Sequence, residues 1–474
     1  GSEAMAAMSG WSVVKAAFDA AGRVYCTTAP GAPGAVGCPN LSGTGGVGRY
    51  TLTFYDSAGR VSCVASPGGN CVTGTGAITT YTYDSLGRQA SVTDVNGGTT
   101  TTAYTPGGRV ATVTDPDGGI TTTSYDSAGR ATSVTNPDGG VTATSYTAQG
   151  RVASTTSPGG LTTSYSYDLA GRVLTSTAPD GVVTTNTYTA RGEVATQQTG
   201  TDGAVSYSYN GDGSVASVTD ALGNTTSYSY DARGNRSVRT DAAGGTQTWS
   251  YDNANELVNA ADQLNRSTVT SYFDDPSNGR KTVTADPSGR TSTDVFNPDG
   301  TVKTASYASS SGSIDYAYSY DNLGHTTAIS APGGTGAYAS NAAGELTSQT
   351  TPTGSQTTWS YDQAGRRTTM TYPDGTQVAY SYDQAGHLTG ETLTPAGGST
   401  QQAAAYTYNA DGQLLTATLP DGSRSYPYGT AGSARGKVVG YTQNLPGADQ
   451  SATLSYDTNG RLASQTVSQS VGGG

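Results

Sequence analysis

The sequence predicts an all-β fold: a repetitive antiparallel meander of β-hairpins that coils into a superhelical or shell-like sheet. Three features favour this fold: a 21-residue period, Gly- and Pro-containing turns at two places in each period, and runs of the strand-forming residues Thr, Val and Tyr between the turns. Leu and Ile are scarce, which argues against a helical or α/β protein. The 32 Tyr and a net charge of only −12 over 474 residues argue against a disordered chain.

Tyrosine marks the period. Ten Tyr follow one another at intervals of 21 residues, from Tyr83 to Tyr272; three of them open a full Tyr-Asp-x-x-Gly-Arg segment and most of the others open a variant of it. The Asp carboxylate can accept hydrogen bonds from backbone N–H groups of a turn, and the Gly suits a position with positive φ. We take as structural repeat positions Tyr83, Asp84, Gly87, Arg88, Tyr125, Asp126, Gly129, Arg130, Tyr167, Asp168, Gly171 and Arg172. A second turn of the type Pro-Asp-Gly begins about six residues after the Arg.

The regularity of the period divides the chain into four stretches. Residues 1–17 form a lead-in that starts with an apparent cloning scar, and residues 18–78 hold irregular, Cys-containing repeats. Residues 79–271 hold the regular 21-residue repeats. Residues 272–474 hold less regular repeats, which we expect to break off within a repeat.

An odd period has a geometric consequence. With two equal strands and two equal loops, successive Tyr would alternate between the two faces of the sheet. We therefore predict that the two turns differ in length or that a β-bulge recurs in each repeat. Aromatic residues two positions apart, such as Tyr165 and Tyr167, share a face of a strand, which predicts one buried aromatic face.

The Arg of the repeat has a predicted structural role. Arg outnumbers Lys by 20 to 4, and a guanidinium can pair with a carboxylate while it stacks on a Tyr ring. A structural ladder of Asp, Arg and Tyr is the favoured interpretation. Ligand binding is the alternative, because exposed Tyr faces are general platforms for sugars or peptides.

The four cysteines lie within the first 71 residues, and we predict the disulfides Cys26–Cys38 and Cys63–Cys71. Cys26 and Cys63 occupy equivalent strands about 9.6 Å apart, beyond the roughly 7 Å that a disulfide spans. Two disulfides imply an oxidising compartment. Free thiols and a zinc site are the alternatives, although the gaps of 11 and 7 residues differ from the usual zinc spacing.

Catalytic constellations are not evident in the sequence. The two histidines, His325 and His387, replace the Arg of the repeat, and the many carboxylates recur with the turns. We predict no enzymatic activity, no cofactor and no metal site; calcium at turn carboxylates such as Asp115 and Asp117 is the alternative, without the full ligand set of an EF-hand. The longest apolar run is too short for a membrane-spanning helix, and a pI near 4.5 argues against nucleic-acid binding.

The Tyr-Asp-x-x-Gly-Arg unit on its 21-residue period closely resembles the YD repeat of the Rhs family, over about residues 18–465. The family includes bacterial Rhs toxins, the cocoon-forming components of Tc toxins, wall-associated bacterial proteins and teneurins. The resemblance implies a β-sheet that spirals into a hollow shell, which encloses a C-terminal effector in the toxins. Toxin shells end in a self-cleaving segment with spaced Asp-Pro-x-Gly motifs. Here Asp115-Pro116-Asp117-Gly118 and Asp286-Pro287-Ser288-Gly289 are ordinary repeat turns, so no protease residue is carried over.

The resemblance implies a non-enzymatic scaffold: a YD-repeat shell segment of a larger bacterial protein that is secreted or displayed at the cell surface. Its expected partners are an effector (toxin) domain or neighbouring domains of the parent protein, with no nucleic acid and no membrane insertion. We expect the chain to be a fragment whose leader is not among its residues. The alternative is a surface adhesion module that binds a cell-surface glycan, peptide or protein through exposed Tyr columns.

Overall fold

The computed structural model describes residues 4–5, 15–19, 21–28, 50–66, 69–74, 76–275, 279–297, 299–445 and 448–471. In these ranges the predicted all-β fold is confirmed: 41 strands are assigned to one sheet, accompanied by a single 3-10 turn, Gly432–Ala434. No helix in the described ranges has the length and apolar character to cross a membrane.

The strands follow one another along the chain with short links. Those before residue 250 are β1 Ala4–Met5, β2 Lys15–Phe18, β3 Val24–Thr28, β4 Tyr50–Tyr55, β5 Val61–Ala65, β6 Ile78–Tyr83, β7 Gln89–Thr93, β8 Thr99–Tyr104, β9 Val110–Thr114, β10 Ile120–Tyr125, β11 Ala131–Thr135, β12 Val141–Tyr146, β13 Val152–Thr156, β14 Thr162–Tyr167, β15 Val173–Thr177, β16 Val183–Tyr188, β17 Val194–Thr199, β18 Val205–Tyr209, β19 Val215–Thr219, β20 Thr225–Tyr230, β21 Arg236–Thr240 and β22 Thr246–Tyr251. The later ones are β23 Leu257–Ala261, β24 Ser267–Asp275, β25 Gly279–Ala285, β26 Thr291–Phe296, β27 Val302–Ser309, β28 Gly312–Tyr320, β29 Thr326–Ala331, β30 Gly334–Ser340, β31 Leu346–Thr350, β32 Gln356–Tyr361, β33 Arg367–Thr371, β34 Gln377–Tyr382, β35 Leu388–Thr394, β36 Gln401–Tyr408, β37 Leu414–Leu419, β38 Gly422–Ser425, β39 Gly440–Leu445, β40 Ala448–Tyr456 and β41 Leu462–Val471.

The chain divides into two compact units. Unit 1 comprises Gly1–Ala103, Val113–Gly118 and Ser250–Gln377. Unit 2 comprises Tyr104–Thr112, Gly119–Trp249 and Val378–Gly474. Each unit therefore combines an early and a late part of the sequence.

A β-bulge recurs at the Tyr of the repeat. It is one of the two features that the odd length of the period predicts. In the antiparallel pair β10–β11, Tyr125 lies opposite Ala131 and Ser124 lies opposite Ser133, so that Thr132 has no partner. The same register shift recurs at the Tyr of the following hairpins. The bulge supplies the extra residue that keeps successive Tyr on one face of the sheet.

The two turns of a repeat have the same length and the same hydrogen bonds, so the bulge alone accounts for the odd period. In the first turn, the N–H of Asp126 donates to the carbonyl of Arg130, and the N–H of Gly129 donates to the carbonyl of Asp126. Residues 136–140 form the second turn with the same two bonds. Gly129 has a φ of 82°, which is the left-handed conformation that the sequence predicts for this position.

Length variation between repeats is concentrated in the second turns. First turns of five residues with these hydrogen bonds recur from Asp19–Arg23 to Asp457–Arg461. Second turns range from the two-residue links at 310–311 and 420–421 to the long connection at 66–77. One end of the hairpins is therefore nearly constant in length and the other is variable.

The predicted aromatic face is half-buried, and none of the described tyrosines is fully buried. In β10 and β12, half-buried residues alternate with exposed ones, as in a sheet with one face partly covered. The largest fully buried side chains lie in the N-terminal repeats, where Leu52 packs with Cys26 and Ala65; buried alanines such as Ala305 and Ala404 lie elsewhere in the chain. Burial falls short of the prediction because ladder strands alone do not supply a second layer over the Tyr face.

The predicted disulfide between Cys63 and Cys71 is present, with the two Cα atoms 6.0 Å apart. Cys26 is also disulfide-bonded. Its predicted partner, Cys38, lies outside the described residues.

Candidate functional site

The first turn is clamped by its own Asp and Arg. Asp126 Oδ1 accepts a hydrogen bond of 2.9 Å from the backbone N–H of Arg130, while Oδ2 accepts 2.7 and 2.6 Å bonds from Nε and Nη2 of the same Arg. The pairs Asp84–Arg88 and Asp168–Arg172 have the same geometry. Two guanidinium nitrogens thus donate to one carboxylate oxygen while the other oxygen binds the backbone, which fixes both side chains and explains the spacing of Asp and Arg in the motif.

The Arg of one repeat also covers the Tyr of the next. The guanidinium carbon of Arg130 lies 4.5 Å from the ring centroid of Tyr146, and that of Arg172 lies 4.4 Å from the centroid of Tyr188. The same contact joins Arg60 to Tyr83. These Tyr faces are covered by a cation, and they are not free platforms for a ligand.

The Tyr hydroxyl has a role that the sequence reasoning missed. Tyr146 donates a 2.7 Å hydrogen bond to the carbonyl of Ala131, which lies next to the bulge and precedes the first ladder pair between β11 and β12, at Ser133. Equivalent hydrogen bonds go to the carbonyl of the residue that follows a first turn. They are donated by Tyr55, Tyr83, Tyr125, Tyr167, Tyr188, Tyr209, Tyr230 and Tyr272. The signal was the near-exclusive use of Tyr, rather than Phe, in the column.

Repeats without Arg at this position replace the stack with another group. His387 stacks on Tyr408 with ring centroids 4.8 Å apart, and its Nδ1 lies 2.8 Å from Asp383 Oδ2. His325 makes the equivalent contact with its own turn Asp. Both histidines therefore occupy structural positions of the repeat.

In the repeat where Glu256 occupies the Arg position, the cation that covers the next Tyr ring comes from another strand. Arg280 of β25 covers Tyr272 at 4.4 Å and pairs with Glu256 at 2.5 Å. Desolvation and the neighbouring Glu256 raise the pKa of Tyr272, whose hydroxyl donates a hydrogen bond to the carbonyl of Leu257.

Acid is expected to destabilise the protein below about pH 4. Hydrogen bonds from the backbone N–H groups of Arg88, Arg130 and Arg172 hold the pKa values of their turn Asp residues below the usual value. A lowered folded-state pKa contributes stability that is complete above the unfolded-state pKa and is lost as pH falls through the folded-state pKa. Urea midpoints measured from pH 6 to pH 2 should be flat at first and then decrease.

The matched variant for this measurement is Asp126→Asn. It should be less stable than the parent at pH 6, and the difference should shrink as the pH falls, because the carboxylate of the parent then becomes protonated and loses its contribution. A constant difference between the two proteins at all pH values would contradict the assignment.

In unit 1, second turns contact first turns that lie about 250 residues later in the chain. Arg366 pairs with Asp117 while it keeps its own turn partner, Asp362, at 2.8 Å. Asn96 donates a 3.2 Å hydrogen bond to Glu345, 249 residues away. Asn96, Asp117, Glu345 and Asp362 line an open groove of about 610 Å³. Desolvation raises the pKa of Asp117, against the opposing effect of Arg366.

Unit 2 contains an equivalent contact, which we name the unit 2 seam. Its residues are second turns at 157–161, 178–182 and 199–203, which face segments 409–413, 432–437 and 457–461. Lys437 Nζ lies 2.5 Å from Asp180 Oδ2, and Arg461 Nη2 lies 3.1 Å from Asp202 Oδ1.

Backbone groups also take part in the unit 2 seam. The N–H of Gly159 donates a 2.7 Å hydrogen bond to Asp411 Oδ1, and the N–H of Thr201 donates a 2.8 Å bond to Asn459 Oδ1. A Cβ on Gly159 would lie 2.2 Å from Asp411, so only glycine admits this carboxylate. Residues 178–180 are half-buried, whereas every residue of the second turn at 220–224 is exposed.

The described residues hold no group of three or more His, Cys, Asp or Glu side chains arranged to bind a metal ion. The contacts described above are turn clamps, ring stacks and turn-to-turn contacts. The sequence predicted the members of the turn clamp, but it contained no sign of the turn-to-turn contacts.

Comparison with known proteins identifies the repeat. The RHS repeat model matches seven segments, at residues 83–120, 104–142, 125–162, 146–183, 209–246, 341–377 and 382–424. No curated protein shows significant similarity to the chain.

Solved structures similar to the chain include a TcdB2-TccC3-Cdc42 structure (14% identity, TM-score 0.42, 97% of this chain and 31% of that one). A TcdB2-TccC3-TEV structure is similar at 16% identity and TM-score 0.46, over 94% of this chain and 24% of that one. A Tc holotoxin pore from Photorhabdus luminescens is similar at 15% identity and TM-score 0.42, over 93% of this chain and 30% of that one. The chain thus spans less than a third of the length of each of these structures.

Proposed function

This chain belongs to the RHS-repeat family, and on that premise we propose that it is a non-enzymatic wall segment of a shell, which encloses or presents another part of its parent protein. The proposed passenger is an effector domain or a neighbouring domain of the same polypeptide. We propose that the parent protein is secreted or displayed at a bacterial surface, which the disulfide Cys63–Cys71 supports because disulfides persist in oxidising compartments.

The turn-to-turn contact is the observation that carries this proposal. Within a run of repeats, strands are joined side by side by the ladder. In each unit, turns 249 to 259 residues apart also meet edge to edge. A sheet joined in both directions forms a continuous wall, which is what enclosure of a passenger requires.

The side chains of the motif bind one another and the backbone of the sheet, which supports a structural role rather than ligand binding. Asp126 and Arg130 bind each other, Arg130 covers Tyr146, and the hydroxyl of Tyr146 binds the backbone. Each functional group that could have contacted a ligand at this position is already engaged within the sheet.

Protease protection tests the proposal. The full-length natural protein and its passenger domain alone are treated with a broad-specificity protease, and fragments are followed by mass spectrometry. The passenger within the full-length protein should be cleaved at least tenfold more slowly. Equal cleavage rates would argue against enclosure, and binding of the chain to a glycan array through its aromatic residues would favour the adhesion alternative.

A further inference from the structure

We infer that the unit 2 seam is a salt-sensitive closure, which opens and closes while the hairpins on both sides stay folded. This property is separate from the proposed shell role, because it concerns only how two edges of unit 2 are held together. The inference follows from the kind of contact that crosses the seam, from the independence of the turns on each side, and from the charges involved.

Side chains hold the seam together. The hydrogen bonds and ion pairs described across it all use a side chain from at least one partner, as in Asp411 with Gly159 and Lys437 with Asp180. Arg435 Nη2 adds a 2.8 Å bond to the carbonyl of Gly160. The ladder pairs of β13 to β16, of β36 with β37 and of β40 with β41 join strands that are neighbours along the chain. Opening the seam therefore breaks none of these pairs.

The turns on both sides are complete without the seam. On one side, the N–H of Ser157 donates to the carbonyl of Leu161, which closes that second turn. On the other side, the N–H of Asn409 donates to the carbonyl of Gln413 in the same way. Arg461 keeps a 3.0 Å bond to Asp457 of its own turn. Each turn therefore retains its own hydrogen bonds when its partner moves away.

Charge dominates the contact. Two ion pairs cross the seam: Lys437–Asp180, whose side chains are 28% and 9% exposed, and Arg461–Asp202, whose side chains are 62% and 34% exposed. Salt screens the exposed Arg461–Asp202 pair more strongly than the more buried Lys437–Asp180 pair. Leu161 lies beside Gly436 and Val182 lies beside Gly460, so each of these apolar side chains faces a residue without a side chain. We therefore expect added salt to open the seam while the ladder persists.

Two backbone amides report on the seam directly. The amides of Gly159 and Thr201 donate to Asp411 and Asn459 across it, so site-resolved hydrogen–deuterium exchange of the whole chain measures opening at two separate points. Raising NaCl from 50 mM to 500 mM should speed exchange at both amides about fivefold. The ladder amides of β14 and β15 should not change.

Variants test whether the seam opens as a unit. Asp180→Asn and Lys437→Met each remove the central ion pair, from opposite sides, and each should speed exchange at both reporter amides. Asp180→Asn leaves the contact of Lys437 with the ring of Tyr456 available, which separates seam opening from local unfolding near Lys437. Lys303→Met is the matched control: it removes an exposed lysine of β27, outside the seam, and should leave both reporters unchanged.

The possible outcomes are distinct. Faster exchange at both reporters with unchanged ladder amides supports a separable closure. The inference is overturned if exchange at the two reporter amides changes neither with salt nor in Asp180→Asn. It is also overturned if exchange of the ladder amides becomes faster together with that of the reporters. These measurements involve no passenger domain, so a failure here and a failure of the protease-protection experiment are distinguishable.

Discussion

Replacing Leu52 by alanine is expected to destabilise the N-terminal repeats by about 3 kcal/mol, because the change removes a buried side chain and leaves a cavity. Leu52 is 2% exposed and packs with Cys26 and Ala65 in the cluster of fully buried residues. Tyr25, Phe54 and Ile78 are partly buried against the same cluster. Urea denaturation, combined with exchange of the amides of β4 and β5, measures both the size and the location of the loss.

Leu86→Ala is the matched control for this change. Leu86 is 75% exposed at the tip of a first turn, so its truncation should change stability by less than about 0.5 kcal/mol. Since repeat proteins are stabilised by nearest-neighbour contacts, the effect of Leu52→Ala should fade along the chain. Equal losses in the two variants would show that the cluster does not anchor these repeats.

Replacing Tyr146 is expected to have two separable effects. Tyr146→Phe keeps the ring beneath Arg130 but leaves the carbonyl of Ala131 without its hydrogen bond, which should cost about 1 kcal/mol. Tyr146→Ala also removes the half-buried ring and the cation–π contact, for a total of about 3 kcal/mol. Urea denaturation of the two variants and the parent gives both values.

Ser145→Ala serves as the control for the Tyr146 series. Ser145 lies on the opposite, exposed face of the same strand, where its hydroxyl contacts Ser154. Its loss should change stability by less than about 0.5 kcal/mol. If Tyr146→Phe matched the parent in stability, the hydroxyl would have no role at the bulge, and the preference for Tyr over Phe would need another explanation.

Local chemistry made much of the fold predictable. The positive φ of Gly129 and the clamp of Asp126 by Arg130 both arise within five consecutive residues, so the motif itself contains their cause. The odd period restricted the repeat to unequal turns or a bulge. Which of these occurs depends on how two strands pair beyond the turn, and that information is not in the motif.

Contacts between distant residues could not be predicted in the same way. The hydrogen bond from Tyr146 to Ala131 depends on the bulge, and the pairing of Asp180 with Lys437 depends on how repeats return to one another after 257 residues. Lys437 lies nine residues after Tyr428, whereas the Arg of the motif lies five residues after its Tyr, so the spacing does not identify its partner. Burial of the Tyr face was overestimated because alternation within a strand shows which side is apolar, and not what covers it.

The nearly constant length of the first turns has a consequence for engineering and for divergence. Most first turns from Asp19–Arg23 to Asp457–Arg461 keep five residues, and in several of them the clamp, the stack and the Tyr hydrogen bond occur together; the links 276–278 and 426–439 are the exceptions. The opposite ends of the hairpins carry no such constraint at 310–311, 332–333 and 420–421. Foreign loops grafted at those ends should be accepted without disturbing the sheet, so new binding surfaces are expected to arise along one rim only.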